Sequence, residues 1–389
     1  MIILFWLCLF IIFYAFAGYG ILLYLLVLLK RLIGKKKIQY YSFEELPSVT
    51  LIIAAYNEER IIKEKIENTL ALNYPKNKIT FLFVTDGSTD KTSAIIKTYP
   101  QIILLHEHAA RSGKVNAVHR AMEHINSEIV IFTDANTFLN TDALINIARH
   151  YKDPDTGVVA GEKRVQIDTK SDATAGEGIY WKYESTLKKW DAELYSVVGA
   201  AGELFSIRTA LYVPAEKDSI LDDFMISMRI AAKGYKIAYE PEAYAIETSS
   251  ENIKEEMKRK VRIAAGGIQS ILRLKPLLNI FKYPLLSFQY ISHRVLRWTL
   301  TPFLLIIVFL LNIFIVIDNI AIIYRLLLAG QVIFYLAAWA GWLLEKKQVR
   351  NKFLFIPFYF CLMNYAVMAG IRRYYSGAQH AAWDKAKRK

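Results

Sequence analysis

Hydrophobic and polar positions divide the chain into an apolar beginning, a long mixed middle and an apolar end. Residues 2–29 carry no charged side chain. As a helix they would measure about 42 Å, more than the ~30 Å hydrocarbon core of a bilayer. Three further charge-free runs, each about long enough to cross, cover residues 298–317, 326–344 and 353–371. We therefore predict an N-terminal transmembrane anchor at residues 1–30 and a C-terminal transmembrane cluster at residues 298–371. A cleaved signal peptide would instead begin with basic residues, and here they follow the run.

The middle of the chain alternates short apolar runs with amphipathic stretches. The apolar runs are typical of buried strands and cover residues 49–55, 79–85, 102–105 and 128–133. The stretches between them predict helices at residues 58–72, 90–97 and 114–124. Continuous apolar strands separated by helices predict a mostly parallel sheet covered on both faces. We expect an α/β domain over residues 31–250, with ligands bound beyond the carboxyl ends of the strands.

The second half of this domain has a less regular pattern. We predict a long helix at residues 173–195, a glycine-rich turn into a short strand at 199–208, and a helix at 222–233 that Gly234 ends. Residues 251–297 mix cations with apolar side chains, a pattern typical of basic helices that lie in the membrane interface. A basic tail, residues 372–389, follows the last apolar run.

The charge distribution predicts membrane contact. The formal net charge is +13, a value that nucleic-acid-binding proteins also reach. However, the cations gather beside the apolar runs, at residues 30–37 and 345–352, which favours anionic membrane lipids as partners and predicts no nucleic acid. The positive-inside rule then places the α/β domain in the cytoplasm of a multi-pass protein of the plasma membrane or inner membrane.

The basic tail conflicts with three late crossings, because it would then end outside the cell. We expect residues 353–371 to be re-entrant or interfacial; the alternative is a tail that breaks the positive-inside rule. Cys8 and Cys361 both lie in apolar runs, so they predict neither a disulfide framework nor a metal site.

Polar side chains follow three of the predicted strands, where ligands are expected. These residues are Asn57, Glu58, Asp86, Asp134 and Asn136. Each alone fits a turn or a helix cap equally well. Asp222 and Asp223 open a predicted helix, where acids also complement the helix dipole. The repeated placement at one sheet edge nevertheless favours a single site.

Six short motifs in this order resemble the family 2 glycosyltransferases, which have a nucleotide-sugar-binding α/β domain of the GT-A type. The matching segments are LIIAAYNEE at 51–59, NYP at 73–75, VTDGSTD at 84–90, RSGKVNA at 111–117, the glycine-rich segment 199–208, and LDD at 221–223 followed by GY at 234–235. The resemblance covers roughly residues 47–267. It implies transfer of a sugar from a nucleotide-diphosphate donor, with uridine the expected nucleoside.

The resemblance also implies a role for each matching residue. Asn57 and Glu58 would line the donor site, Asp86 would bind the nucleoside base or ribose, and Lys114 would lie near the nucleotide. Asp134 and Asn136 would form the metal motif for Mg²⁺ or Mn²⁺, in which Asn136 departs from the usual Asp-x-Asp and brings no charge. Asp223 would be the general base, preceded by the acidic Asp222. A single base implies an inverting displacement.

A further motif of the membrane-bound polymerising members, Gln-x-x-Arg-Trp, matches residues 259–263 only in part. Arg262 fits the Arg and could meet the leaving diphosphate bidentately. Arg259 replaces the Gln and Ile263 replaces the Trp, which puts processive synthesis in doubt. The alternative for both arginines is a solvated or lipid-facing basic surface.

The sequence is compatible with four functions. We favour a transferase that adds a sugar to a lipid-linked or glycan acceptor. The alternatives are a processive polysaccharide synthase that secretes its polymer, a non-catalytic nucleotide-sugar-binding scaffold, and a transporter, against which the large charged domain argues. Four aromatic residues are candidates for stacking on sugars, although helical spacing is more typical of core packing: Tyr180, Trp181, Tyr183 and Trp190.

Overall fold

The computed structural model describes residues 1–34, 41–108, 111–166, 174–248, 253–318, 321–347, 349 and 351–377. The predictions for the basic residues 35–37, for the tail residues 378–389 and for the side chain of Tyr180 lie outside the described part.

The α/β domain is built on one sheet, as the pattern of apolar runs predicts, but the sheet is mixed, with antiparallel as well as parallel pairs. Within the described residues it has eight strands, in the order β3-β2-β1-β4-β7-β6-β8-β5. They are β1 (Val49–Ala55), β2 (Ile79–Asp86), β3 (Ile102–His108), β4 (Ile129–Asp134), β5 (Thr137–Leu139), β6 (Thr156–Gln166), β7 (Leu204–Arg208) and β8 (Lys236–Thr248). The pairs β1–β2, β1–β4, β2–β3 and β6–β8 are parallel, and the other three pairs are antiparallel.

Helices cover both faces of the sheet. Those of the domain are α3 (Ile62–Leu70), α4 (Thr92–Lys97), α5 (Lys114–Met122), α6 (Ala143–Ala148), α7 (Thr174–Leu194) and α8 (Asp222–Ala232). Alternate residues of one strand point to opposite faces. Ile52 therefore packs with the apolar side chains of α5 and α8, whereas Leu51 and Ile53 pack with those of α3, α4 and α6. This two-sided core fixes the carboxyl ends of β1, β2 and β4 at one edge.

Four described helices are long and apolar enough to cross a membrane. The first joins α1 (Ile2–Phe13) through a π-helical turn (Tyr14–Gly18) to α2 (Tyr19–Ile33), so the predicted anchor is one helix of 32 residues. The others are α12 (Thr301–Asp318), α13 (Ile322–Lys346) and α14 (Lys352–Tyr375). Between the domain and α12 lie α9 (Ile253–Arg273), α10 (Pro284–Tyr290) and α11 (Leu296–Trp298).

The last helix, α14, runs back toward the α/β domain. Near its start, Phe358 packs against Gly341 of α13, and Phe360 lies 4.9 Å, centroid to centroid, from Phe16 of the anchor. Near its end, Gly370 packs against α9. Helix α14 is also long and apolar enough to cross a membrane, so the re-entrant or interfacial placement of residues 353–371 stays a prediction.

Polar contacts bind the anchor to α7. The Tyr19 hydroxyl donates a hydrogen bond to Asp191, and His293 Nδ1 lies 2.5 Å from the other oxygen of the same carboxylate. All three side chains are fully buried. Farther along, Lys30 donates to the carbonyl oxygens of Glu193 and Leu194, each at 2.8 Å. The membrane anchor and the α/β domain are therefore joined by buried hydrogen bonds as well as by apolar packing.

Candidate active site

Asn57 and Glu58, in the loop after β1, form hydrogen bonds with the loop after β2. Asn57 has a φ of 52°, in the left-handed region that Asn tolerates better than most residues. Its side-chain oxygen accepts from Thr89 N–H at 2.8 Å, and Glu58 N–H donates to Thr92 Oγ1 at 2.8 Å. These bonds hold the two loops together at the carboxyl edge of the sheet, so the predicted donor-site residues are part of one rigid corner.

Asp86, at the end of β2, organises the next loop. Its carboxylate accepts hydrogen bonds from Ser112 Oγ at 2.7 Å, from Gly113 N–H at 2.6 Å and from Arg120 at 3.1 Å. Burial by itself raises the pKa of Asp86, but the hydrogen bonds from Ser112, Gly113 and Arg120 outweigh it and hold this pKa below its usual value. Asp86 is therefore a charged hydrogen-bond acceptor that shapes the loop in front of Lys114.

Lys114 lies at the centre of a group of carboxylates from two further elements. Its Nζ is 2.6 Å from Asp134 Oδ1. Burial would lower the pKa of Lys114, but the charges of Asp134, Asp222 and Asp223 raise it above its usual value. The structure thus brings together four of the predicted site residues, from α5, β4 and α8.

Asp223 differs from its neighbour Asp222 in its surroundings. A Cβ placed on Gly202 would lie 3.3 Å from Asp223 Oδ2 and 3.4 Å from Lys114 Nζ, so only glycine leaves room between them. Burial first, and the charge of Asp222 second, raise the pKa of Asp223 to about 7, against the opposing effect of Lys114. A carboxylate that titrates near neutral pH is well matched to general-base catalysis.

The metal motif has the chemistry for a hard divalent cation only in part. Among the residues that the structure describes, no group of three or more His, Cys, Asp or Glu side chains could hold a metal ion. Asp134 and Asn136 still offer a carboxylate and an amide oxygen on one turn after β4. Magnesium commonly takes one or two carboxylates and completes its shell with water and substrate phosphates. The motif therefore fits a cation that binds together with a diphosphate.

Lys65 supports this turn from behind and was not identified from the sequence. It is fully buried on α3, and its Nζ donates to the carbonyl oxygen of Thr137 at 2.6 Å. Burial lowers its pKa to about 7, against the opposing charge of Asp134. The available signal was a lysine within the apolar stripe of α3, between Ile62 and Ile66.

Arg259 is held by ion pairs away from this group. Its guanidinium pairs with Glu256 at 3.2 Å and with Glu247 at 3.6 Å. Glu247 also pairs with Lys163, which is 2.5 Å from Glu203. Arg259 therefore ties α9 to β8 within a network that reaches the glycine-rich segment. Its pairs explain how an arginine is accommodated where the family motif has a glutamine.

Arg262, one turn further along α9, lies within electrostatic reach of the carboxylates. Burial and the charge of Arg373 lower the pKa of Arg262, whereas Asp222, Asp134 and Asp223 act to raise it, and the net effect is a lowered pKa. The predicted catalytic residues on α8 and α9 therefore converge, except for Arg259.

Three of the aromatic candidates have described side chains, and they differ in position. Tyr183 donates to the carbonyl oxygen of Phe16, and Trp190 lies 4.9 Å from Tyr24, so both pack against the anchor. Trp181 lies instead beneath Lys163 and Lys260, at 5.4 and 5.5 Å from its ring centroid.

The fold and the site together define a GT-A type domain with acidic residues at the carboxyl edge of its sheet. The model of the family described as glycosyl transferase family 2 matches residues 50–212. That match covers less than half of the chain, and the motifs at 51–59, 84–90 and 111–117 lie within it, so this part of the chain is similar to that family, as its motifs predict.

Bacterial relatives are similar to this chain as well. Poly-β-1,6-N-acetyl-D-glucosamine synthase of Staphylococcus aureus strain COL is 28% identical over 242 residues, which are 60% of this chain and 57% of the relative. The synthase of the same name from Staphylococcus epidermidis is 25% identical over 240 residues, 59% and 57% of the two chains. The chain therefore matches little more than half the length of these relatives.

The same fold occurs in a mannosyltransferase from Pyrobaculum calidifontis, solved with GDP-Man and Mn²⁺. The TM-score is 0.71 at 20% identity, and the match covers 97% of this chain and all of that one. Because it covers the membrane helices as well as the α/β domain, the similarity extends to the whole architecture.

Proposed function

We propose that the protein is an inverting glycosyltransferase that moves a sugar from a nucleotide-diphosphate donor to a lipid-linked or glycan acceptor at the membrane. The observation that carries the proposal is the position of Asp223. Its carboxylate has a pKa of about 7 and lies beside the pair formed by Lys114 and Asp134. A base and a cluster of charges suited to a diphosphate therefore meet at one edge of the sheet.

The donor's diphosphate would bind between the metal motif and two cationic side chains. Asp134 and Asn136 would hold Mg²⁺ or Mn²⁺, and a bound cation offsets the negative charge of a leaving diphosphate. Lys114 and Arg262 add fixed positive charge at the same place, so the leaving group is stabilised as charge develops. The neighbour solved with GDP-Man and Mn²⁺ supports a nucleotide sugar and a divalent metal; the family resemblance favours UDP.

The transfer itself would be one displacement. As an acceptor oxygen bonds to the anomeric carbon, the bond from that carbon to the diphosphate oxygen breaks, and the acceptor's proton passes to Asp223. The nucleoside diphosphate leaves with the electron pair. Because no second carboxylate is assigned as a nucleophile, the configuration at the anomeric carbon inverts.

Processive polysaccharide synthesis is the second candidate. It is supported by the similarity to the Staphylococcus relatives, which are poly-β-1,6-N-acetyl-D-glucosamine synthases. Against it stands Ile263, which offers no flat aromatic face to an acceptor sugar where the polymerising motif has Trp. We therefore prefer addition without extrusion of a polymer.

The proposal is tested by donor hydrolysis in detergent with Mn²⁺, comparing UDP-glucose, UDP-N-acetylglucosamine and GDP-mannose. We expect metal-dependent release of one nucleoside diphosphate, reduced at least about a hundredfold in Asp134→Ala, because an electrostatic contact to the transition state is lost. If no donor is hydrolysed and calorimetric titration detects no donor binding, the proposal is wrong. Binding without turnover, even after addition of membrane lipid extracts and glycans, would instead support a binding scaffold.

A further inference from the structure

Arg373 lies at the end of α14, beside α9, and no step of the proposed reaction uses it. Gly370, one turn earlier, packs so closely that an added Cβ would lie 2.6 Å from the Cβ of Ala264 and 2.9 Å from the carbonyl oxygen of Val261. Residues three apart share one face of a helix. The contact at Gly370 therefore sets the position of Arg373 relative to Arg262, the residue that follows Val261 on α9.

Arg262 lies within electrostatic reach of both Arg373 and the carboxylates of the site. The charge of Arg373 and those of Asp222, Asp134 and Asp223 all act on the Arg262 guanidinium, with opposite effects. Two guanidinium groups from different helices are thus held near each other at the edge of the site. Like charges repel and opposite charges attract, so an anion bound beside both guanidinium groups would be stabilised by both.

Within the described part of the chain, the Nε of Arg373 has no hydrogen-bond acceptor. Its side chain is half-buried, and the Nε itself is buried. Leaving a buried donor without a partner is unfavourable. The neighbouring Arg372 is exposed and complements the C-terminal end of α14 equally well, so the helix dipole alone does not explain why Arg373 turns inward.

The helix that carries Arg373 also exposes aromatic surface. Tyr365 and Tyr375 on the same helix are 58% and 73% exposed, and α14 is one of the helices apolar enough for a membrane. An anion that reaches Arg373 could therefore arrive from the membrane side as well as from the nucleotide side.

We propose that Arg373 and Arg262 form an anion site at the membrane-side edge of the catalytic site, and that this site binds a phosphate group. The planar N–H fork of a guanidinium matches the oxygens of a phosphate. The group has two sources, the diphosphate of the donor and the phosphate of a lipid-carried acceptor. The second source rests on the proposed function and would place the acceptor for attack.

The test compares three full-length variants in detergent: Arg373→Gln, Arg373→Lys, and the matched control Arg372→Gln from the same turn. Binding is measured by thermophoresis with farnesyl phosphate against farnesol, and with UDP and GDP in the presence of Mn²⁺. We expect Arg373→Gln to weaken at least one phosphate probe on the order of tenfold, equivalent to about 1.4 kcal/mol. Arg373→Lys should fall between it and the wild type, because lysine keeps the charge without the fork. Arg372→Gln should bind like the wild type.

The pattern of loss identifies the source. Weaker binding of farnesyl phosphate alone identifies a lipid-linked phosphate, and weaker binding of UDP or GDP alone identifies the donor; both support the anion site. Unchanged affinity of folded Arg373→Gln for every probe overturns it. If Arg373→Gln does not fold, unchanged affinity of Arg373→Lys overturns it instead. A wild type that binds farnesyl phosphate but neither nucleotide would keep the anion site and refute the proposed function.

Discussion

At the residue scale, the proposed chemistry depends on two adjacent carboxylates that open α8. Asp223 faces Lys114 across Gly202, and its pKa is raised to about 7 by burial and by Asp222. Asp222 lies within electrostatic reach of Lys114 and Arg262. The same helix start therefore supplies a base that titrates near neutral pH and a neighbouring charge that tunes it.

This arrangement predicts the pH dependence of transfer. Asp223 must be ionised to accept a proton, so kcat should fall about tenfold per pH unit below the pKa of about 7. Asp222→Asn removes a negative charge that raises the pKa of Asp223, so the fall should begin at a lower pH. The measurement is the pH profile of kcat for both proteins. An acid limb at the same pH in the variant would mean that Asp222 does not tune the base.

The affinity for the metal ion should depend on Asn136. Asn136→Asp adds a charge to the metal motif and restores the usual Asp-x-Asp. Because affinity for hard cations rises with the charge of the ligands, we expect half-maximal activity at roughly tenfold lower Mn²⁺. The measurement is a Mn²⁺ titration of donor hydrolysis at saturating donor. An unchanged midpoint would place the cation elsewhere.

At the element scale, the close approach of the glycine-rich segment before β7 to α8 positions the base. Gly199 has a φ of 79°, and a Cβ there would overlap the ring of Phe224, the residue after Asp223. Any side chain at position 199 would push the start of α8 away from Lys114. The glycine-rich segment 199–208 is thus required by packing as well as by backbone conformation.

Two glycine variants separate these requirements. Gly199→Ala and Gly234→Ala both place alanine at positive φ, which costs roughly 1–2 kcal/mol, but nothing lies within 4 Å of a Cβ on Gly234. Overpacking adds about 1–3 kcal/mol at Gly199 alone. We expect Gly199→Ala to melt at a clearly lower temperature than Gly234→Ala in the same detergent, and to lose activity. Equal melting temperatures would refute the packing role.

Some of the helices and strands could be predicted from the sequence alone, and others could not. Strands β1 to β4 and helix α8 were predicted within a few residues, because their apolar patterns are unbroken. Strands β5, β6 and β8 were missed. Strand β6 contains Lys163 and β8 contains Glu247, and these buried charges are compensated by ion pairs with each other, with Glu203 and with Arg259, which the sequence does not show. Lys65 was missed for a similar reason, since its acceptor is a distant backbone carbonyl.

At the scale of the whole molecule, the membrane anchor and the α/β domain share one buried polar network. Asp191 of α7 accepts hydrogen bonds from Tyr19 of the anchor and Gln289 of α10, and lies beside His293. No single element supplies more than a part of this network, so hydrophobic patterns do not reveal it. The network fixes the catalytic edge relative to the membrane helices.

Removing Asp191 should therefore destabilise the protein strongly. Asp191→Ala leaves several buried polar groups without a partner, and we expect a loss of about 3–5 kcal/mol. Glu193→Ala removes a partly exposed ion pair with Arg31, for which little loss of stability is expected because solvent screens the pair. Both are measured by denaturant unfolding in detergent. Similar losses for the two variants would show that the network does not carry the contact between anchor and domain.

Whether Asp223 is the base of a sugar transfer is tested by comparing the wild type with Asp223→Asn. Membranes with wild-type protein or with Asp223→Asn are incubated with radiolabelled nucleotide sugars, and label in the lipid and glycan fractions is counted beside donor affinity. We predict transfer by the wild type and the same donor affinity in Asp223→Asn, with transfer reduced about 10²–10⁴-fold, the usual contribution of a general base. Full transfer by Asp223→Asn would show that Asp223 is not the base.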